Sequence, residues 1–401
     1  MSKKAIPYGR QNITDEDIQT VIETLQSDYL TQGPKIKQFE NEFAEYVGSK
    51  YAVAVSNGTA ALHLSALALG VNPGDKVITT PITFAASANC VRYCGGEVIF
   101  SDIDSSTYLL DINKLRSLLE ASPKRTYKGI IAVDFAGRAV NLEELRVLAA
   151  EYGLWIIEDA CHAPGGSFLD ANNKQQLCGN GEFADLSIFS FHPVKHIACG
   201  EGGMVTTNDE ILYKKLLALR THGITKNESD YINSVDFANG TANKNNIYPA
   251  WYMEMQSLGF NYRLTDFQAA LGMSQLQRAD EGVKRRREIA SFYNKEFTGK
   301  TFIKGQSGIV DGHAYHLYII EVQDRLGLYN YLRENKIFAQ IHYIPCHLMP
   351  YYKHLGWKES DMPKAENYYK NCISLPMYPT LTIKDQKIVI DTVNQYYKNI
   401  L

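Results

Sequence analysis

The sequence predicts an α/β protein whose parallel sheet is covered by helices on both faces. Three observations predict it. Short apolar runs without polar alternation, such as Tyr51–Val55 and Gly129–Val133, read as strands buried on both faces. Amphipathic or Ala/Leu-rich stretches of helical length separate them. The 401 residues are 45% hydrophobic and 21% charged, which supplies a large core and excludes disorder as the main theme.

Taken in order, Thr14 opens a helix as its N-cap, with Asp15, Glu16 and Asp17 in the first turn, where acids complement the helix dipole. Ile18, Val21, Ile22 and Leu25 form its apolar face. A second helix carries Ile36, Phe39, Phe43 and Val47 and stops at Gly48. The strand–helix rhythm then begins with strand Tyr51–Val55 and a helix to Leu69. Further strands are expected at 76–79, 98–100, 129–133, 155–157, 186–191 and 204–207, with helices near 85–93, 111–120 and 141–152. Residues 226–250 are polar and Asn-rich and read as a loop or insertion. Helices at 265–276 and 284–297 and a strand at 317–322 suggest a smaller α+β unit at the C-terminal end.

With 41 basic and 44 acidic residues the net charge is −3, which gives no reason to expect nucleic acid as a partner. The basic run Lys284–Arg287 reads as a solvated helix face, flanked by Glu281 and Glu288. The seven cysteines are loosely spaced with no Cys-x-x-Cys pair, so reduced thiols and a cytoplasmic location are expected, and no metal site is predicted. The N-terminal residues lack a signal-peptide apolar run, and no window suits a membrane span.

Ligands of α/β sheets gather beyond the carboxyl ends of the strands, and several segments fall there. Ser56-Asn57-Gly58-Thr59-Ala60 opens a helix with small residues; it is either a phosphate cup or a plain helix cap. Asp159 ends a strand and suits a metal ligand, a general base, a pyridinium partner or a helix cap, while His162 suits a ligand contact or a packed imidazole. Lys195 lies between a buried strand and Gly200-Glu201-Gly202-Gly203, a setting that lowers a lysine pKa and suits Schiff-base chemistry. Pyridoxal 5′-phosphate (PLP) needs all of these together: a lysine, a carboxylate for its ring nitrogen, a phosphate cup and a flat side chain over the ring. No dinucleotide fingerprint or P-loop competes.

The segments Ser56–Leu64, Thr80-Pro81-Ile82-Thr83-Phe84, Glu158-Asp159-Ala160-Cys161-His162, Ser190-Phe191-His192-Pro193-Val194-Lys195, Arg220-Thr221-His222-Gly223 and Phe260-Asn261-Tyr262-Arg263 resemble the DegT/DnrJ/EryC1/StrS sugar aminotransferases. The resemblance spans essentially the whole chain and includes His342-Tyr343-Ile344-Pro345 and Ser374-Leu375-Pro376-Met377. It implies PLP-dependent transferase fold type I: a large domain, residues 1–255, with a mixed, mostly parallel seven-stranded sheet, then a small α+β domain, residues 256–401. It also implies a homodimer with shared active sites.

Roles implied by the resemblance are these. Lys195 carries the cofactor and the proton transfers; Asp159 pairs with the ring nitrogen; Phe84 and His162 lie against the ring. Gly58, Thr59, Ala60 and Ser190 hold the phosphate, with Asn261 reaching across from the second subunit. Tyr8, Thr31, Arg138, His192, Tyr318, His342 and Tyr343 contact the sugar nucleotide. Lysine at 195 separates the chain from related sugar dehydratases, which carry histidine there. Two departures from the family pattern, Ala198-Cys199 and Arg138, bear on substrate contacts. Within the family the likeness is to the pseudaminic acid branch through Ile6–Arg10, Leu30–Pro34 and Val133–Gly137. The implied substrates are therefore L-glutamate and a UDP-linked 4-keto-6-deoxy-N-acetylhexosamine. The alternatives are a sister enzyme acting on a GDP- or dTDP-linked keto sugar, and a non-catalytic PLP-binding regulator.

Overall fold

The computed structural model describes residues 5–240, 247–305 and 311–400. Residues 1–4 of the stretch read as lacking a signal-peptide run fall outside them, as do residues 241–246 of the expected loop or insertion. Seven strands form the central sheet: β1 (Tyr51–Val55), β2 (Lys76–Thr79), β3 (Glu97–Phe100), β4 (Gly129–Val133), β5 (Trp155–Asp159), β6 (Leu186–Ser190) and β7 (Gly203–Thr207). Their order is β1-β7-β6-β5-β4-β2-β3. Only β7 runs antiparallel, pairing Gly203 with Val55 on one side and with Ser190 on the other. β4 and β7 are buried along their whole length, as continuous apolar runs covered on both faces must be. A separate three-stranded antiparallel sheet, β8 (Ile303–Gly305), β9 (Tyr318–Val322) and β10 (Cys372–Leu375), carries the C-terminal core.

Helix boundaries follow capping chemistry. In α1 (Asp15–Leu25) the Thr14 hydroxyl and the Asp17 carboxylate cap each other's backbone N–H groups. Helix α2 (Pro34–Val47) starts with proline at its first position and ends on Gly48 at φ 80°. α1 is turned against its amphipathic pattern. Ile18, Ile22 and Leu25 are exposed, whereas Asp17 is fully buried. The reason is α4, taking α3 as Gly58–Ala68 and α4 as Asp266–Leu276. Asp17 accepts from Ser274 Oγ (2.6 Å), Gln275 Nε2 (2.7 Å) and Arg278 Nη2 (2.8 Å), so a polar network seats α1.

Two expectations need correction. The Lys284–Arg287 run is not a fully solvated face. It lies in α5 (Ala279–Phe297), where Arg286 is buried and donates to the carbonyls of Tyr315, His316 and Met377. Burial lowers the Arg286 pKa to about 10. Residues 226–250 are also not plain loop. The strand pair Ile224–Thr225 with Glu254–Met255 closes their base, Val235–Asn239 is helical, and Glu254 accepts the N–H groups of Ile232 (2.8 Å) and Asn233 (2.9 Å). Among the described residues no helix is long and apolar enough to cross a membrane, and all seven cysteines are free thiols.

The α1 network sets a stability expectation. Burial alone would raise the Asp17 pKa, but donation from Arg278, Ser274 and Thr14 outweighs it and holds the carboxyl below its ordinary value. Its contribution is complete above the unfolded aspartate pKa and is lost as pH falls through the lower folded value. Asp17→Ala removes the acceptor shared by Ser274, Gln275 and the part-exposed Arg278 and should cost about 1.5–3 kcal/mol. Urea unfolding at neutral and acid pH would show it as a lowered midpoint whose difference from the parent shrinks in acid.

Candidate active site

A cavity of about 1090 Å³ opens where the carboxyl ends of β4, β5 and β6 meet the N-terminus of α3. Of the sequence-predicted residues, Tyr8, Gly58, Thr59, Ala60, Phe84, Asp159, His162, Ser190, His192, Lys195, His342 and Tyr343 line it. Asp159 is the last residue of β5 and is 5% exposed. Its Oδ2 accepts from Ser87 Oγ at 2.6 Å and its Oδ1 from the Cys161 N–H at 3.2 Å. Because Ser87 gives its proton to a carboxylate, it accepts from Thr83, 2.7 Å away.

Lys195 stands on the loop that leaves β6 and returns as β7, in a turn closed by its N–H to the His192 carbonyl (2.8 Å). Burial pushes its ammonium pKa down, against the opposing influence of Cys161 and Asp159. Such an amine is available as a nucleophile and as a base.

The N-terminus of α3 forms the end wall. Asn57 caps it, accepting the Ala60 N–H at 2.8 Å. Ala60 is therefore a small wall residue whose donor is spent internally, while among the described residues the Gly58 and Thr59 N–H groups have no protein acceptor. A Cβ on Gly58 would lie 3.0 Å from Ser190 Cβ and 3.4 Å from Cys161 Sγ; one on Gly203 would lie 2.5 Å from the Asn57 carbonyl oxygen. The two glycines thus let the cup close on a phosphate-sized group.

His162 is held in one tautomer. Its Nδ1 accepts the Ala136 N–H (3.2 Å), which leaves the proton on Nε2, facing Tyr343 Oη at 3.2 Å. Burial first, then Lys195, His342 and His196, push its pKa well below the ordinary value, so the ring is neutral. Across the cavity, His342 shares a hydrogen bond with Ser374 (2.9 Å) and its pKa falls to about 3 through burial and Lys195. Phe84, 63% exposed, leans over the mouth with its ring 6.3 Å from that of Tyr343.

Four predicted residues lie elsewhere. Tyr318 belongs to the C-terminal core, stacked on Tyr293 and donating to Asn294 Oδ1 at 2.7 Å, so the expected sugar contact is corrected. Arg138 is half-buried outside the cavity, beside Tyr315 and Asp104. Thr31 is exposed and bridged to Thr265. Asn261 is exposed and bridged to Thr221, away from its own chain's cavity. Ala198 and Cys199 are buried and do not line the cavity, so that departure does not touch substrate from here. Ser87 and Gln340 were missed by sequence reasoning, and Asn57, His63, Glu201 and Tyr262 fell inside quoted motifs without a role of their own; all six line the cavity. Thr83 and Ser87 stand four residues apart just after a strand, but Thr83 lies in the bend before the helix Ala86–Tyr93 that carries Ser87, so their pairing is made by the turn between them.

The model of the DegT/DnrJ/EryC1/StrS aminotransferase family matches residues 11–394. The chain belongs to that family. This aminotransferase is 40% identical over 402 residues to the Bacillus subtilis spore coat polysaccharide biosynthesis protein SpsC, covering 98% of this chain and 97% of the relative. It is 36% identical over 395 residues to a Campylobacter jejuni UDP-4-amino-4,6-dideoxy-N-acetyl-beta-L-altrosamine transaminase, covering 97% and 96%. It is 32% identical over 400 residues to the Escherichia coli O157:H7 GDP-perosamine synthase, covering 99% and 100%. Among solved structures, Helicobacter pylori PseC, an aminotransferase of pseudaminic acid biosynthesis, superposes with a TM-score of 0.85 at 29% identity over 99% and 100% of the chains. The PLP form of the Streptococcus pneumoniae sugar aminotransferase Spr1654 superposes with a TM-score of 0.85 at 27% identity, over 99% and 100%. The chain is a PLP-dependent sugar aminotransferase of fold type I. Its own residues fit that cofactor: a buried carboxylate, a lysine of lowered pKa and a helix N-terminus whose glycine leaves room for an anion.

Gly58→Ala should weaken PLP binding by about tenfold or more, since each such factor corresponds to about 1.4 kcal/mol of lost fit. Equilibrium dialysis measures the binding, and an unchanged urea midpoint would place the loss at the cup.

Proposed function

We propose that the chain transfers the amino group of L-glutamate to the C4 keto group of a UDP-linked 2-acetamido-2,6-dideoxyhexos-4-ulose, a step of pseudaminic acid biosynthesis. The observation that carries this reading is double: full-length similarity to a UDP-sugar transaminase and a full-length superposition on PseC. A GDP-linked 4-keto sugar is the second reading, favoured by the similarity to GDP-perosamine synthase.

PLP, when bound, supplies an electron sink that makes the Cα–H of an amino acid acidic. In the proposed mechanism Lys195 Nζ would hold the cofactor through its aldehyde and would serve as the acid–base group of the site. Burial lowers the pKa of that amine and so favours its free-base form; Nζ would take the proton from glutamate Cα and, in the second half-reaction, deliver a proton to C4 of the sugar from one face. Asp159 holds the proton on the ring nitrogen, itself held by Ser87 and the Cys161 N–H. Gly58, Thr59 and Ser190 bind the phosphate. Phe84 and His162 bound the ring, and His162 orients through Nε2–H without exchanging its proton. Tyr8, His192, His342 and Tyr343 form the wall proposed to meet the sugar nucleotide.

In this reading the large domain ends near residue 255, and the enzyme is a cytoplasmic homodimer in which Asn261 serves the second subunit's site. The exposed Ile18, Ile22 and Leu25 face of α1 supports a covering copy.

A panel of UDP-, GDP- and dTDP-linked 4-keto sugars with glutamate, read by product mass and NMR, tests the assignment. The UDP-linked N-acetylated sugar should give the highest kcat/KM, and a clear preference for a GDP sugar would replace the reading. Lys195→Ala should lose the visible absorption of the lysine-linked cofactor and at least about a thousandfold in rate. Asp159→Asn should keep the fold by circular dichroism and lose about a hundredfold or more in rate.

A further inference from the structure

Behind the cavity, two acids are buried against each other. Glu158 precedes Asp159 in β5, and alternate strand residues point to opposite faces, so its side chain leaves the sheet on the side away from the cavity. It meets Asp134, the residue after β4; the two are 1% and 0% exposed. Each carboxyl has one oxygen satisfied by backbone. Asp134 Oδ1 accepts the Val140 N–H at 2.8 Å and Glu158 Oε2 the Gly179 N–H at 2.9 Å. The remaining oxygens, Asp134 Oδ2 and Glu158 Oε1, complete no hydrogen bond of normal geometry among the described residues, although Ser187 and Cys178 stand close enough to lower the Glu158 pKa. Cys178, whose Sγ lies within 4.8 Å of both carboxyls, and the buried Ser187 hydroxyl are the polar side chains around them. One carboxyl oxygen of each acid lies within 4.8 Å of one of the other's, and two such anions side by side in a dry interior are untenable unless the pair holds a proton.

We propose that Asp134 and Glu158 share a single proton, and that this acid pair is the positioning device that fixes the tautomer of His162. Burial and the mutual proximity of the two carboxyls raise the Asp134 pKa, and burial raises that of Glu158, as sharing requires. The route to His162 is short. Asp134 donates its N–H to the Asp159 carbonyl (3.1 Å), accepts the Gly137 N–H at its own carbonyl (3.0 Å), and holds Val140 by its side chain. These bonds pin the turn Phe135–Gly137, in which Ala136 adopts φ 63°, a left-handed conformation uncommon for alanine. That conformation presents the Ala136 N–H to His162 Nδ1. A neighbour that donated to Nδ1 less firmly would let the imidazole proton choose either nitrogen.

The test uses the PLP-loaded enzyme. Infrared difference spectra in H2O and D2O should show a protonated-carboxyl C=O stretch at neutral pH, lost in both Glu158→Gln and Asp134→Asn. Those variants replace the shared proton by an amide N–H donor, so nitrogen-15 NMR should still find His162 protonated on Nε2. The double variant Asp134→Leu/Glu158→Leu keeps the interior packed but removes the Val140 anchor, and His162 should then populate both tautomers. The parent enzyme gives the infrared answer even if the double variant does not fold, and Asp134→Ala then serves as the second anchor-free variant. Absence of the carboxyl band in the parent enzyme, or its persistence in both amide variants, overturns the shared proton. Stoichiometric metal in the purified enzyme that is lost in Cys178→Ala overturns it as well. An unaltered tautomer in a folded anchor-free variant overturns the positioning role.

Discussion

Asp159 brings a carboxylate to the end of a buried strand, and the surrounding site is arranged around that charge. Desolvating a carboxylate costs several kcal/mol unless donors replace the lost water. Here the donors are the Ser87 hydroxyl and the Cys161 N–H. The first commits Thr83 to donate to Ser87, so the Thr83–Ser87–Asp159 chain can run in only one direction. The second needs the chain to turn sharply after β5, which brings His162 back into the cavity and gives Gly58 its close neighbour Cys161. The strand end, the helix cup and the loop carrying Lys195 therefore share one packing problem.

That packing also simplifies the proton inventory. The imidazoles of His162, His196 and His316 gather under Lys195, and burial pushes each pKa well below the ordinary histidine value. His342 is pushed the same way, while burial raises the hydroxyl of Tyr343. Near neutral pH none of these groups gains or loses a proton. Burial lowers the Lys195 ammonium pKa in the same cavity, the direction that favours a free amine at the position where a single-base transfer on one face would need one.

The strand order was readable because each sheet strand is a short apolar run bounded by turn residues, and the sheet-strand boundaries fell within two residues of those formed, whereas the helix expected at 284–297 begins at Ala279 and the helix Glu210–Arg220 was not expected. The position of Lys195, Asp159 and the cup at strand ends was readable for the same reason. What was not readable depends on contacts distant in sequence. Tyr318 sits in the middle strand of its sheet, between the strands of Ile303 and Leu375, so its ring fills a core that spacing cannot reveal. The apolar stripe of α1 faces outward because Asp17 finds Arg278 some 261 residues away. Arg286 looked solvated beside charged neighbours, yet three distant carbonyls claim it. Glu158 and Asp159 are adjacent acids of equal appearance; only strand alternation separates the one facing the cavity from the one facing the interior.

The two walls of the cavity differ in origin. Lys195, Asp159 and the cup come from strand ends and a helix cap fixed by the sheet. Tyr8, Gln340, His342 and Tyr343 come from segments near the two ends of the chain, joined where Ile6–Pro7 pairs in parallel with Ile337–Phe338 and where the Tyr8 carbonyl accepts the Met377 N–H at 2.9 Å. The second wall can therefore change without disturbing the register of the sheet. The relatives named for a UDP sugar and for a GDP sugar both match across nearly the whole chain. In the proposed function, a difference in nucleotide would need no difference at the strand ends and would be open to the wall built from Tyr8 and the 340–343 segment.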